Sequence, residues 1–294
     1  MAANAFTLGY RAVSPWLEMG AYEALWDSGQ PSFKSLAAKF KAHLGSLPSD
    51  FIPDRNVCER YATETVSILR KSGVERFGIR LNTAGDYPPQ LREAEHRVEM
   101  LYFRGHWDLV ETRCVAIVGT RSPSPEGAKN AKTISTRLSV DGFTIVSGLA
   151  EGIDTIAHGA AIVRGTPTIA VIGTPLSRAY PKENASIQNF IAKEHLLISQ
   201  VPVCAYEHLA FKMKPYFFPE RNVTMSALCE ATIIVEAGAT SGTLSQARAA
   251  LRQGRKLLIL EACFRDKTLR WPKLYQDQGA IRVKSYRDIL KHLG

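Results

Sequence analysis

Val115-Ala-Ile-Val-Gly-Thr-Arg-Ser122, followed by Ser147-Gly-Leu-Ala-Glu-Gly-Ile-Asp154, decides the fold of this chain. Cys114 to Val118 is a short apolar run, long enough for a strand buried on both faces. It stops at Gly119-Thr120-Arg121, and Ser122 to Gly127 is rich in turn formers. A helical pattern follows from about Ala128 to Val140. The same order then returns: Thr144-Ile-Val146, Gly148 and Gly152, and a helix carrying Asp154 and His158. Strand, glycine turn and helix, twice over, is a βαβ unit with a parallel sheet. Glycines at such turns let backbone approach a phosphate, and helix N-termini supply free N–H groups.

Working outward, the alternation continues toward the C-terminus. Strands are expected at Thr168–Ile172, Leu196–Ser199, Thr232–Val235, Leu257–Leu260 and Ala280–Val283. Helices are expected at Ala185–Lys193, Val223–Glu230, Leu244–Arg252 and Tyr286–His292. The fold class is therefore α/β, with one doubly wound, mostly parallel sheet of six or seven strands. Ahead of it, "YPPQL" and "LYFRG" read as a turn, a short helix and a strand ending at Gly105. Residues 1 to about 75 read as helical. Trp16 to Trp26 recur at helical spacing, Gly29-Gln30-Pro31 interrupts, Phe33 to Leu44 resumes, and Val57 to Lys71 forms a longer helix. This places a small helical domain, similar to helix-hairpin-helix or SAM modules, at 1–78, and the α/β domain at 79–294.

Composition narrows the partner. The 294 residues carry 37 Lys and Arg against 28 Asp and Glu, a net charge of +9. That excess favours an anionic partner, nucleic acid ahead of membrane, because no basic amphipathic helix or lipid motif occurs. No stretch approaches the roughly 18 apolar residues of a membrane span, nor does the start read as a signal peptide. The five cysteines are scattered without a C-x-x-C pair, which fits a reducing cytoplasm.

Loops at the C-terminal ends of the strands form one rim, where open α/β sheets bind ligands. They are Gly119-Thr120-Arg121, Gly148 to Asp154, Gly173 to Asn184 with Lys182 in "YPKEN", Phe217 to Asn222 ("FFPERN"), and Ala237 to Thr243 with Ser241 and Gly242. Lys212 and Lys214 precede Phe217 and Phe218, and Arg221 follows. Cations interleaved with rings suit single-stranded nucleic acid, since cations track phosphates while rings stack on bases. A dinucleotide site is disfavoured because the first turn is not G-x-G-x-x-G, and no P-loop is present. Asp154 and His158 lie one turn apart, but a structural role outweighs catalysis or metal binding. Neither a metal nor a cofactor is expected.

"AIVGTRSPSPEG", "IVSGLAEGIDTIAHGAAI", "TIAVIGTPLSRAYPKEN", "FPERN" and "IIVEAGATSGTLSQARAAL" together resemble the DNA-processing protein A family, also called DprA or Smf. The resemblance runs from about residue 80 to the C-terminus. It implies an extended Rossmann-like domain that binds single-stranded DNA, dimerises, and helps load the RecA recombinase during natural transformation. It implies binding rather than enzymatic chemistry. By position it assigns phosphate binding to Arg121 and the second glycine motif to Gly148, Gly152 and Asp154. It assigns the DNA pocket to Lys212, Lys214, Phe217 or Phe218, Arg221 and Asn222, and the last rim loop to Ser241 and Gly242. Val223 stands where the family usually has a second arginine, and Glu261-Ala262-Cys263 where it usually has Pro-Gly. An alternative is a nucleotide-binding or phosphoribohydrolase-like protein of the lysine decarboxylase-like superfamily, or a nucleotide-sensing paralogue. The hydrolase signature P-G-G-x-G-T-x-x-E requires a glutamate where this chain has Gln246, and an amide cannot serve as general base.

Overall fold

The computed structural model describes residues 13–29 and 31–294. The parts of the expected helical domain at residues 1–12 and the expected break at Gln30 lie outside the described residues. Helix α1 (Pro15–Asp27) starts where Ser14 Oγ accepts a bond from Leu17 N at 3.4 Å and Pro15 presets the first turn. Ser32 and Ser35 cap one another's backbone to open α2 (Phe33–Ala42). Asp54 caps α3 (Arg55–Lys71) through Asn56 N. Between α2 and α3 the chain makes a short 3-10 turn, Pro48–Phe51.

Nine strands form one sheet: β1 (Gly78–Leu81), β2 (Met100–Gly105), β3 (Cys114–Val118), β4 (Thr144–Ser147), β5 (Thr168–Ile172), β6 (Leu196–Ser199), β7 (Ala231–Ile234), β8 (Lys256–Leu260) and β9 (Ile281–Val283). Their order is β1-β2-β6-β5-β4-β3-β7-β8-β9. β3 to β9 are parallel, and β2 and β1 extend the β6 edge antiparallel. The remaining helices are α4 (Pro89–Arg92), α5 (Pro125–Val140), α6 (Ile153–Val163), α7 (Ala185–Glu194), α8 (Val203–His208), α9 (Phe217–Leu228), α10 (Thr243–Arg252), α11 (Trp271–Asp277) and α12 (Tyr286–Leu293). Residues from both sides of the sheet fill two cores. Val115, Ile117 and Ile233 pack under α5, α6 and α12; Ala116, Val118 and Ile234 join the core that also takes in α1, α2 and α9.

The structure corrects the sequence reading in three places. The sheet is larger than six or seven strands, because β1 was missed and β2 joins the same sheet. α8 and α11 were not anticipated. Phe217 to Asn222, expected as a loop, is the first half of α9, with Pro219 near its start, where a missing N–H costs nothing. All five cysteines are buried and free.

The chain leaves β3 for β4 in one direction, and its second half, β7 to β9, builds outward in the other. The crevice beyond the C-terminal ends of β3 and β7 is therefore the switch point, the place where such sheets hold ligands.

Candidate nucleic-acid interface

A cleft of about 470 Å³ opens at that switch point. Its mouth is the turn after β3. Thr120 N donates to Glu236 O at 2.7 Å, Ile153 N donates to Thr120 O at 3.2 Å, and Thr243 Oγ1 donates to Gly119 O at 3.0 Å. Gly152 closes over this turn with φ +73°, and a Cβ there would lie 2.5 Å from the Thr120 and Arg121 carbonyl oxygens. The backbone under Arg121 is thus fixed while its side chain is exposed. Its nearest candidate partners are committed elsewhere: Glu236 accepts from Ser124 N and Oγ, and Asp154 accepts from Gly148 N at 3.0 Å. Among the described residues Arg121 has no carboxylate within ion-pair distance.

Arg221 does something different from what its place in "FFPERN" suggests. It is buried beneath the cleft, at 6% exposure. Nη1 donates to the carbonyls of Gly148 and Val171, each at 2.6 Å, and Nε donates to Asn222 Oδ1 at 2.9 Å. The guanidinium lies flat against Gly148, where any side chain would collide with it. Burial lowers the Arg221 pKa, and the Asp154 carboxylate opposes that fall. Burial likewise raises the Asp154 carboxyl, opposed first by Arg221 and then by the Gly148 N–H. The pair locks the second glycine loop to β5 beneath the cleft, without presenting a free fork. Asn222 carries the lock onward, its Nδ2 donating to Ser245 Oγ at 2.6 Å and to Gly242 O at 3.3 Å.

Gly119, Thr120, Arg121, Phe218, Arg221, Asn222, Ser241 and Gly242 all line the cleft, with Asp154, Thr243 and Gln246. Gly148 lines a small adjoining recess with Tyr180, and Gly152 supports the mouth from behind. The two neighbouring rings separate. Phe218 faces the cleft and meets Tyr180 at 5.4 Å between centroids, tilted 53°, and Tyr180 is 49% exposed. Phe217 is buried against Trp26, Phe33 and Tyr206 and cannot meet a base.

Four other expected site residues lie outside the cleft. Lys212 is exposed on the 3-10 turn Phe211–Tyr216. Lys214 sits with Nζ 4.4 Å from the Tyr206 ring centroid. Lys182 is exposed beyond the recess. Asn184 is buried, its Nδ2 donating to Leu149 O at 2.9 Å and Thr155 Oγ1 at 2.8 Å, so it braces the second glycine loop. Tyr180 was not singled out as a site ring, whereas Thr243 closes the expected rim loop Ala237 to Thr243 and lines the cleft. The aromatic within "YPKEN" was the available signal for the first.

His158 is fully buried. Thr168 Oγ1 gives its own proton to Ile145 O, so His158 Nδ1 must donate to that hydroxyl at 2.8 Å. Gln246 is buried, its Nε2 donating to Thr232 Oγ1 at 3.2 Å. Among the described residues no group of three or more His, Cys, Asp or Glu side chains could hold a metal ion. Nor, among them, is any helix long and apolar enough to cross a membrane.

The family described as DNA recombination-mediator protein A matches residues 79–294. The DNA processing protein DprA of Streptococcus pneumoniae is 36% identical over 204 residues, 69% of this chain and 70% of that one. The Bacillus subtilis DprA is 31% identical over 243 residues, 81% of this chain and 79% of that one. Among solved structures, the S. pneumoniae DprA superposes with TM-score 0.71 at 28% identity, over 93% of this chain and 97% of that one. A Helicobacter pylori DprA structure, described as giving insight into its single-stranded DNA binding mode, superposes with TM-score 0.63 at 26% identity. It covers 74% of this chain and 95% of that one.

Proposed function

The chain belongs to the DNA recombination-mediator protein A family, and from that premise we propose that its switch-point cleft binds single-stranded DNA. One observation carries the proposal: Arg121 stands on a rigid turn at the cleft mouth with its guanidinium uncommitted. A phosphate there meets a bidentate donor, with the buried Arg221 lining the same cleft. Phe218 and Tyr180 form a shelf on which bases stack without regard to sequence. The H. pylori relative's single-strand binding mode supports the same reading.

The protein acts by binding and not by covalent catalysis. Among the described residues the one carboxylate lining the cleft, Asp154, is engaged by Gly148 and Arg221, and the hydrolase glutamate position holds an amide. It works as a homodimer in the cytoplasm, assembled through the later part of the α/β domain, and passes its strand to the RecA recombinase. Leu257, Leu258 and Leu260 are buried in the core, so they do not form that dimer surface.

Titration of a labelled single strand and of a duplex of the same sequence tests the reading. The single strand should bind more tightly, and its affinity should fall with salt as counterions are released. Equal affinity for the two would remove single-strand recognition from the account.

A further inference from the structure

A second cleft, of about 680 Å³, opens at the opposite edge of the sheet. Gly105, the last residue of β2, pairs with Leu196, the first of β6, so this cleft lies beyond the N-terminal ends of the parallel strands. Its lining includes Arg76, Phe77, Phe103, Arg104, Asn189 and Lys193, and among all its lining residues there is no carboxylate. The groove on α3 differs, since there Glu59 and Glu64 balance Arg60 and Lys71.

Several arginines elsewhere on this molecule are answered. Arg80, Arg97, Arg113, Arg178, Arg265 and Arg282 each meet a carboxylate within 4.0 Å. Arg104 is half-buried, and desolvation lowers its pKa, yet among the described residues no acid or acceptor compensates it. Arg76 is equally unpartnered, and Lys193 meets only its exposed neighbour Glu194. A partly desolvated guanidinium without a partner is a cost to the free protein that an incoming anion removes. The walls are ordered: His106 N donates to His195 O at 2.8 Å, tying the end of β2 to the end of α7. Phe103 packs with the Arg80 guanidinium, 4.6 Å from its centroid, and with the Trp107 ring at 4.8 Å, and Arg80 also lies 5.0 Å from the Trp107 ring.

We propose that this cleft is a second nucleic-acid site, taking phosphates of a strand whose other end lies in the switch-point cleft. The proposal rests on the reading of the first cleft for the origin of that strand. The two clefts are separated by the depth of the sheet, about 16 Å for a five-residue strand, and laterally by the three to four strand spacings from β6 and β2 to β3, about 14–19 Å, so only a strand long enough to cover both offsets reaches the two.

The test uses the full chain carrying Arg76→Gln, Arg104→Gln and Lys193→Gln together, with two oligothymidylates as probes. One is about 6 nucleotides, within the span of a single site, and the other is several times longer. The short strand should bind as in the wild type. The long strand should bind about tenfold more weakly, with a salt slope shallower by about 2, because three phosphate contacts are lost. The single variant Arg104→Lys, which keeps the charge, should retain long-strand affinity, and the triple variant should melt at the wild-type temperature, which excludes a folding defect. Long-strand affinity and slope unchanged in the triple variant would overturn the proposal. Equal weakening of both lengths would also overturn it, since the cations would then act through the overall field. Arg121→Glu run in parallel separates the two readings. If it leaves the short strand bound, the first cleft is at fault and not the second.

Discussion

At the scale of single residues, the site depends on which of two similar neighbours faces outward. Phe217 and Phe218 are consecutive, yet Phe217 closes the core beneath α1 and α2, while Phe218 opens onto the cleft. Alanine substitution should therefore split their effects. Phe217→Ala is expected to destabilise the fold by about 3–5 kcal/mol, the cost of emptying a large buried ring site. Phe218→Ala is expected to leave the melting temperature nearly unchanged and to weaken single-strand binding by about 1–3 kcal/mol, the worth of one stacked base. Thermal melts and strand titrations on both variants check this, and a reversal of the two profiles would place the wrong ring in the cleft. Arg121 and Arg221 divide in the same way. Both are cations in quoted motifs, but only the three-dimensional closure of Gly148 against Arg221 reveals that the second is a strut. Sequence reasoning assigns a cation between aromatic residues to the surface because an unpaired buried charge is costly. It has no view of the two carbonyls and the carboxylate that compensate this one.

At the scale of elements, the central parallel strands were legible because they are short apolar runs buried on both faces, as Cys114–Val118 and Thr168–Ile172 illustrate. The glycine turns were legible for the same reason that they work: Gly148 and Gly152 sit where no other residue fits. α9 was misjudged at its start because Pro219 and the aromatic pair read as loop, whereas a proline in a first helical turn is compatible with the helix. β1 was hidden because its three half-buried residues and the buried Leu81 lack a clear period, and it exists through pairing with β2. α6 offers a pH prediction. Burial holds the His158 imidazole down to about 3, against an ordinary value near 6.5. In that window the unfolded chain binds more protons, so stability is full above about 6.5 and falls as the pH drops toward 3. Between pH 7.5 and pH 5 this one group should cost about 2 kcal/mol. His158→Gln should flatten the pH profile of denaturant unfolding by that amount, and an unaltered profile would mean that His158 is charged or accessible in the folded state.

At the scale of the molecule, the helical N-terminal part and the α/β part are welded by a buried acid. Glu23 on α1 accepts from the Tyr102 hydroxyl on β2, from Val203 N at 2.8 Å and from Cys204 N at 2.9 Å at the start of α8. One apolar core runs from Trp26 and Phe33 through Phe217 into the sheet. The two parts should therefore unfold in one transition, and Glu23→Gln should lower its midpoint by the equivalent of about 2 kcal/mol, since an amide nitrogen would replace an acceptor facing N–H donors. Two resolved transitions in a calorimetric scan of the wild type would contradict the weld. This rigidity also positions the cleft, because α9 is held from below by Phe217 while Phe218 faces the cleft.

The central claim is that Arg121 holds a phosphate of single-stranded DNA at the switch point, and a salt series of single-strand titrations on the wild type and on Arg121→Glu tests it most directly. The account predicts a folded variant with an unchanged melting temperature, binding weakened by more than the roughly 1–3 kcal/mol of one charge-assisted contact, and a shallower dependence on salt. A variant that titrates as the wild type does at every salt concentration would take Arg121 out of the interface and contradict the account.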